Sequence, residues 1–411
     1  MKKSNKLKIF NDPIYGFITI PNSLIFDLIE HPYFQRLRRI SQMGLSYMVY
    51  PGAHHTRFHH ALGSMHLMQK AVNVLRFKGV EINSKEEKAL YTAILLHDIG
   101  HGPFSHAMEH SIVKNVSHEQ ISLKFMQSLD ENFNGNLTMA IQIFQGVYPR
   151  RFMCQLISSQ IDMDRSDYLK RDSFYTGVSE GNVNSERLIT MLNVRNDELV
   201  VEEKGIYSIE KFLVARRFMY WQVYLHKTSL VAEQLIVKVL KRAKDLISNN
   251  TKLPASSALT YFLENTITLE NFDESKLELF ARLDDYDLIM ALKQWQNHDD
   301  FVLCTLSKMI INRDLLKIKF KSKPIKKESL DSKLKAFQKL NNLTLEESEY
   351  FVFEGNISNQ AYQHRKEEIM ILKKSGKVVP INKVSEQFDF NISSLSKETV
   401  KYYICYPKEI H

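Results

Sequence analysis

Hydrophobic residues recur at helical spacing through most of the first 312 residues, and this pattern predicts a mainly α-helical protein. The first predicted helix is broken near Pro32, since proline removes a backbone donor. A capping box at Ser117–Gln120 predicts another helix start. The predicted helical segments are 22–42, 58–78, 85–98, 117–129, 208–247, 284–296 and 299–312.

Alternating apolar and polar positions predict a smaller β component. Residues 188–203 form a predicted hairpin that turns at Asn196-Asp197, and alternation near 350–353, 369–372 and 402–405 predicts strands in the tail. We therefore expect a mostly α protein with a small β-hairpin and a smaller α+β C-terminal lobe. The expected boundaries are a core over 1–247, a helical extension over 248–312 and the lobe over 313–411.

Composition favours a soluble protein. The chain of 411 residues is 44% hydrophobic and 25% charged, as is ordinary for globular proteins. It has no apolar run as long as a membrane helix, and its basic start lacks an apolar signal core. Three scattered cysteines, Cys154, Cys304 and Cys405, indicate reduced thiols and hence a cytoplasmic location.

The net charge of +8 fits a polyanionic ligand, either nucleotides or nucleic acid. The densest basic stretch has six lysines, and an exposed strand edge is its favoured interpretation. Nucleic-acid binding is the less favoured alternative, because Phe320 is the only aromatic residue interleaved for base stacking. The six are Lys317, Lys319, Lys321, Lys323, Lys326 and Lys327.

The segment from Leu95 to His106 carries the clearest chemistry. His97-Asp98 ends a predicted helix that Gly100, Gly102 and Pro103 terminate, and imidazole with carboxylate suits a divalent transition metal. An isolated His-Asp pair is weak evidence: His298-Asp299 lies in a polar stretch that predicts a loop and helix N-cap.

Two further segments supply candidate ligands. His59-His60 lies near the start of an upstream helix, and four aspartates lie between Asp162 and Asp172. Taken alone, the histidines could flank a helix and the aspartates could form a solvated face. Together the three segments predict a metal site assembled inside a helical bundle.

These motifs, in this order over roughly the first 245 residues, resemble the HD-domain phosphohydrolases, specifically their deoxynucleoside triphosphate triphosphohydrolase branch. The matching blocks are 11–16, 34–38, 50–53, Arg57-Phe58, His60, 97–106, 117–120, 162–168 and 224–227.

The resemblance implies an HD-domain helical core that hydrolyses dNTPs to deoxynucleoside and inorganic triphosphate. The implied metal ligands are His60, His97, Asp98 and Asp164, and Mn²⁺, Fe²⁺, Zn²⁺ and Mg²⁺ are all acceptable ions. The metal would lower the pKa of a bound water and neutralise phosphate charge. The alternatives are a phosphohydrolase or phosphodiesterase for another nucleotide, and a catalytically idle nucleotide sensor or nucleic-acid-binding protein.

The resemblance also implies catalytic roles. His106 would protonate the departing 5′ oxygen, and His101 and His118 would contact phosphate, although His118 could simply belong to a helix start. Glu109, where the family has Asp, would orient His106.

Substrate contacts follow in the same way. Arg57, Arg165 and Arg216 would hold the triphosphate; Arg165 replaces the usual Lys, and Tyr220 replaces a His. On the nucleoside side, Gln42 and Asp172 would bind the 3′-hydroxyl, Tyr168 would crowd C2′ and exclude ribose, and Tyr224 would line the base and sugar. A plain core tyrosine is the alternative for Tyr168.

A regulatory guanine-nucleotide site is also implied, in which Glu30 replaces Asp. Such sites lie between subunits, so a homo-oligomer, dimer or tetramer, is expected; an ordinary helix face is the alternative. The implied residues are Lys8, Ile9, Glu30, Gln35 and Arg38.

Overall fold

The computed structural model describes residues 8–104, 112–113, 116–359, 368–385 and 399–410. Helices dominate, as the sequence predicts. In the first half of the chain they are α1 (Ser23–Glu30), α2 (Pro32–Gln35), α3 (Arg57–Phe77), α4 (Ser84–Leu96), α5 (His118–Asn132), α6 (Thr138–Phe144), α7 (Arg151–Ile157), α8 (Met163–Thr176) and α9 (Ser185–Thr190). They continue as α10 (Ile206–Met219), α11 (Lys227–Ser248), α12 (Ser257–Glu264), α13 (Glu274–Phe280), α14 (Asp285–Trp295), α15 (Phe301–Ile311), α16 (Lys327–Asn341), α17 (Leu345–Ser348) and α18 (Asn382–Ser385).

The strands form three small sheets. They are β1 (Ile9–Asp12), β2 (Gly16–Thr19), β3 (Leu192–Arg195), β4 (Glu198–Glu202), β5 (Lys317–Lys321), β6 (Phe353–Asn359), β7 (Met370–Leu372), β8 (Val378–Pro380) and β9 (Thr399–Tyr406). The sheet orders are β1-β2, β3-β4-β7-β8 and β5-β9-β6. Parallel pairing of β4 with β7 joins the predicted hairpin to the tail, so the tail contributes strands to two sheets. The proposed domain boundaries stay a prediction.

Several local predictions are confirmed. The chain breaks between α1 and α2, with His31 as N-cap and Pro32 at the first helical position. Asn196 and Asp197 both have positive φ, as a type I′ hairpin turn requires. The edge strand β5 has Lys317, Lys319 and Lys321 exposed.

The prediction of one continuous helix over 208–247 is wrong in the middle of that range. Helix α10 ends at Met219, a π-helical segment covers Tyr220–Tyr224, and α11 begins at Lys227 with His226 as its N-cap. A π turn shifts the side-chain register of a helix. This one places Tyr220 and Tyr224 in the cleft described below.

Helix α3 packs against α4 and α8, and the close approach to α8 needs a glycine. A Cβ at Gly63 would lie 2.0 Å from Oδ1 of Asp167 and 2.2 Å from Nη2 of Arg171. Because Gly63 has no side chain, α3 leaves room for the buried ion pair of Asp167 and Arg171 on α8.

The loop after α4 is fixed by main-chain contacts. Fully buried Arg36 donates to the carbonyl oxygens of His101 (2.8 Å) and Ile99 (2.9 Å). Ser122 of α5 donates to the His97 carbonyl oxygen and accepts from the amide of Gly100, both at 2.9 Å. Within the described residues, no helix is both long and apolar enough to cross a membrane. The three cysteines, all in the described part of the chain, form no disulfide.

Candidate active site

The ends of three helices bring the predicted metal donors together. His60 lies in the first turn of α3, His97 caps the end of α4, and Asp164 lies in the first turn of α8. Nε2 of His60 is 3.3 Å from Nε2 of His97 and 3.1 Å from Oδ1 of Asp164. Asp98 adds a carboxylate oxygen 3.5 Å from Nε2 of His97.

These donors fit a divalent ion. Ligand atoms bound at about 2.1 Å and at right angles lie about 3 Å apart, close to the spacing found here. His97 donates through Nδ1 to the carbonyl oxygen of Ile94 (2.7 Å), and Nδ1 of His60 lies 2.8 Å from Oδ2 of Asp167. Both imidazoles therefore present Nε2 to the same point, as metal-binding histidines do.

The electrostatics favour a cation at that point. Burial lowers the pKa of His60, but hydrogen bonds to Asp164 and Asp167 outweigh this effect and raise the pKa to about 10. Burial raises the pKa of Asp98, yet His97, His101 and Arg57 hold that pKa well below its usual range. Without metal, a proton on His60 balances the carboxylates, and metal binding would displace it.

A second group of donors adjoins the first. Asp98, His101 and His118 each offer a ligand atom, and these atoms lie within 4.8 Å of one another. The rings of His101 and His118 stack with centroids 3.9 Å apart. Burial, followed by the charge of Arg57, holds the pKa of His101 well below its usual range. The predicted residues His106 and Glu109 lie outside the described residues.

A cleft of about 570 Å³ opens on this centre. All the predicted substrate residues line it: Gln42, Arg57, Arg165, Tyr168, Asp172, Arg216 and Tyr224. Tyr220, which replaces the family's His, also lines the cleft, and its ring centroid is 5.1 Å from that of Tyr224.

None of the predicted regulatory residues lines this cleft. The Arg38 guanidinium lies 3.6 Å from the Phe58 ring centroid, and its Nε donates to Oε1 of Gln35 (2.9 Å). Nζ of Lys8 lies over the ring of Phe26. Phe26 precedes Glu30 by one turn of α1. Lys8, Ile9, Glu30 and Arg38 are exposed, and Gln35 is half-buried.

Two residues of the site were not predicted. Asp167 orients His60, and its spacing from Asp164 and Arg171 on one face of α8 could have revealed it. His55 contacts Asp172, and no sequence signal separates it from the exposed neighbour His54.

The fold and this site define an HD-domain phosphohydrolase, and comparison with known proteins agrees. The HD-domain family model matches residues 57–172, and the model of the HD-associated region matches residues 183–261. The chain belongs to the HD-domain family.

Individual relatives extend this result. The crystal structure of a phosphohydrolase from Bacteroides thetaiotaomicron superposes on this protein with a TM-score of 0.95. The two sequences are 50% identical, and the alignment covers 98% of this chain and 100% of the Bacteroides chain. Protein YwfO of Bacillus subtilis is 35% identical over 76% of this chain and 72% of its own length. The Dictyostelium discoideum homologue of the deoxynucleoside triphosphate triphosphohydrolase SAMHD1 is 32% identical over 60% of this chain, which spans about half (51%) of that protein.

Proposed function

We propose that the protein hydrolyses deoxynucleoside triphosphates to deoxynucleoside and inorganic triphosphate with the help of a divalent metal ion. One observation carries this proposal: a cleft of about 570 Å³ is lined by two of the metal donors, Asp98 and Asp164, by three arginines, and by the residues expected to contact the sugar. The SAMHD1 homologue from Dictyostelium discoideum supports the choice of substrate.

Two of the metal donors, Asp98 and Asp164, line the cleft. His60, His97, Asp98 and Asp164 would hold Mn²⁺, Fe²⁺, Zn²⁺ or Mg²⁺. When bound, such an ion activates water and neutralises phosphate charge.

The arginines supply the charge that a triphosphate needs. Arg57 and Arg216 are both buried at the cleft wall, and Arg165 is held by Asp162, with Nε 3.1 Å from Oδ2. Because guanidinium groups form paired hydrogen bonds with phosphate oxygens, they would orient the chain of phosphates toward the metal centre. His101 and His118 would contact the phosphate nearest the metal donors. The assignment of His106 as the acid at the 5′ oxygen rests on the sequence.

Other residues of the cleft suit a deoxyribose. The Tyr168 ring centroid lies 6.4 Å from that of the proposed metal ligand His60 and 6.1 Å from that of Tyr224. A ring in that place would collide with a 2′-hydroxyl, which is the steric rejection that a purely attractive pocket lacks. Asp172 and Gln42 would bind the 3′-hydroxyl.

We further propose that a guanine nucleotide binds at the exposed residues Lys8, Glu30 and Arg38 and bridges subunits of a homo-oligomer. The charges of Lys8, Glu30 and Arg38 and the amide of Gln35 support this site, since a carboxylate can accept from the guanine ring. We also propose the cytoplasm as the location, because the sequence has only three cysteines, an odd number at scattered positions.

The test is a substrate panel. Purified protein with Mn²⁺ is incubated with each dNTP and each NTP, with and without GTP, and the products are separated by ion-exchange chromatography. Intact triphosphate and a deoxynucleoside are expected. Release of pyrophosphate or orthophosphate, or equal use of ribonucleotides, would contradict the proposal and favour another nucleotide phosphohydrolase. Asp164→Ala protein serves as the control for contaminating phosphatases.

A further inference from the structure

A buried histidine outside the candidate metal site contacts Asp172, one of the residues that line the cleft. His55 precedes the N-cap of α3 and is only 1% exposed. Its Nε2 lies 2.6 Å from Oδ1 of Asp172, and its ring stacks on Tyr175 with centroids 4.4 Å apart. Because a carboxylate can only accept, Nε2 is the donor. Nδ1 of His55 is buried and has no hydrogen-bond partner among the described residues.

The Asp172 carboxylate is thus held from two sides. Its Oδ2 accepts from the Tyr224 hydroxyl at 2.6 Å, while Oδ1 accepts from His55. The two donors come from the segment before α3 and from the π-helical segment, so the carboxylate cannot rotate without losing one of them. Each oxygen keeps a second lone pair, which can accept from a ligand.

The main chain of His55 positions a second cleft residue. The backbone amide of Gln42 donates to the backbone carbonyl oxygen of His55 at 3.0 Å. The adjacent residues Ser41 and Thr56 form a β-bridge. Oε1 of Gln42 is buried and has no hydrogen-bond partner among the described residues. A buried polar atom without a partner is costly unless a ligand or water satisfies it.

We propose that His55 is a positioning residue that holds Asp172 through its ring and Gln42 through its carbonyl, so that both engage one sugar hydroxyl: Asp172 accepts its proton, and the Gln42 side-chain amide, which can rotate to present its nitrogen, donates to its oxygen. This inference rests on the proposed function. A carboxylate repels phosphate but accepts a hydrogen bond from an O–H, so the sugar, rather than the triphosphate, is the part of the substrate that we assign to Asp172. In a 2′-deoxynucleotide the remaining ring hydroxyl is the one at C3′.

The experiment compares dATP with its 2′,3′-dideoxy analogue. Wild-type kcat/KM should favour dATP by at least about tenfold, since a pocket built to hydrogen-bond a hydroxyl rejects the analogue that lacks it. His55→Phe keeps the ring and its stacking on Tyr175 but removes the donor. The variant should lower kcat/KM for dATP and leave the dideoxy rate unchanged, which brings the ratio within about threefold.

His54→Phe is the matched control, because His54 also stacks on a tyrosine, Tyr47, but is exposed and makes no contact with Asp172. This control should keep the wild-type ratio. If His55→Phe does not fold, His55→Gln should retain the preference through its amide N–H, whereas His55→Asn, which is too short to reach Asp172, should lose it.

The outcomes separate this inference from the proposed function. A wild-type protein that hydrolyses dATP, with an unchanged ratio in His55→Phe or a parallel loss on both substrates, overturns the role of His55 alone. A wild-type protein that releases no triphosphate from any dNTP overturns the proposed function, and the role of His55 falls with it.

Discussion

Oδ2 of Asp167 lies 2.8 Å from Nδ1 of His60, and both side chains are fully buried. The same carboxylate accepts from Nε (2.9 Å) and Nη2 (3.0 Å) of Arg171. Asp167 therefore joins the metal centre to a buried ion pair, and the ring orientation of His60 depends on that pair.

The first prediction concerns this carboxylate. Asp167→Asn should weaken Mn²⁺ binding by about 10- to 100-fold. A metal-binding histidine that loses its hydrogen-bond partner is less basic, and its ring orientation is less well fixed. Isothermal titration calorimetry measures the change. Asp12→Asn is the matched control, since Oδ2 of Asp12 is 2.8 Å from Nη1 of Arg171 and does not contact His60.

Both variants disturb the charges around Arg171, so both should lower the free energy of unfolding, by up to about 3–5 kcal/mol for a broken buried pair. Only Asp167→Asn should lower metal affinity. Equal metal affinity in the two variants would show that Asp167 acts on stability alone.

The second prediction concerns the metal ligands. Asp164→Ala and Asp98→Ala should each abolish turnover and lower bound metal below one ion per chain, measured by plasma mass spectrometry, because each removes an anionic donor. Asp299→Ala, at the exposed aspartate of the His298-Asp299 pair before α15, should change neither quantity. Stoichiometric metal in both His97→Ala and Asp98→Ala proteins would rule the site out.

The sequence predicted the local structure around the candidate site well where a signal is local. The loop after His97 is marked by Gly100 and Pro103, and a Cβ at Gly100 would lie 2.2 Å from the amide nitrogen of Ser122. The capping box from Ser117 to Gln120 is formed in the structure. Such signals depend on a few neighbouring residues, and local chemistry decides them.

Distant contacts were not predictable in the same way. Which aspartate of α8 supports His60 depends on how α8 lies across Gly63 of α3. The parallel pairing of Val201 with Ile371 joins strands far apart in the chain. The π-helical segment has ordinary helical periodicity in the sequence, and only its packing at the cleft distinguishes it.

The third prediction concerns sugar discrimination. Tyr168→Ala should raise kcat/KM for ATP relative to dATP by about tenfold or more, because the variant removes the ring proposed to crowd C2′. Steady-state kinetics on the two nucleotides measure the ratio. Tyr207→Ala, at an exposed position on α10 that does not line the cleft, should leave the ratio unchanged. Equal activity on ATP and dATP in wild type would show that Tyr168 excludes nothing.

The fourth prediction concerns regulation. A nucleotide that binds the oligomer more tightly than the monomer shifts the population toward the oligomer. GTP or dGTP should therefore raise turnover of dATP or dTTP together with the mass measured by light scattering. Arg38→Ala removes the guanidinium over Phe58 and should abolish both effects while metal content stays at the wild-type level. Full activity without any guanine nucleotide, and no change of mass on adding it, would leave Glu30 and Arg38 as ordinary surface residues.

The last prediction concerns Asp285, which joins the segment before Gln42 to the loop after α4. Its Oδ2 accepts from the Ser41 amide (2.8 Å) and its Oδ1 from the Phe104 amide (3.0 Å), and burial raises the pKa of Asp285 to about 6. The folded protein then keeps a proton that the unfolded chain loses above pH ~4, so this contribution to stability is complete below pH ~4 and lost as the pH rises through 6.

Asp285→Asn cannot titrate. Its deficit in unfolding free energy relative to wild type should shrink by up to about 2 kcal/mol between pH 4.5 and 7.5 in urea titrations, as linkage at ~1.4 kcal/mol per pKa unit allows over that range. Asp299→Asn, at an exposed position, should show a constant difference. A deficit for Asp285→Asn that is constant or grows with pH would show that the Asp285 carboxyl is ionised in the folded protein throughout this range.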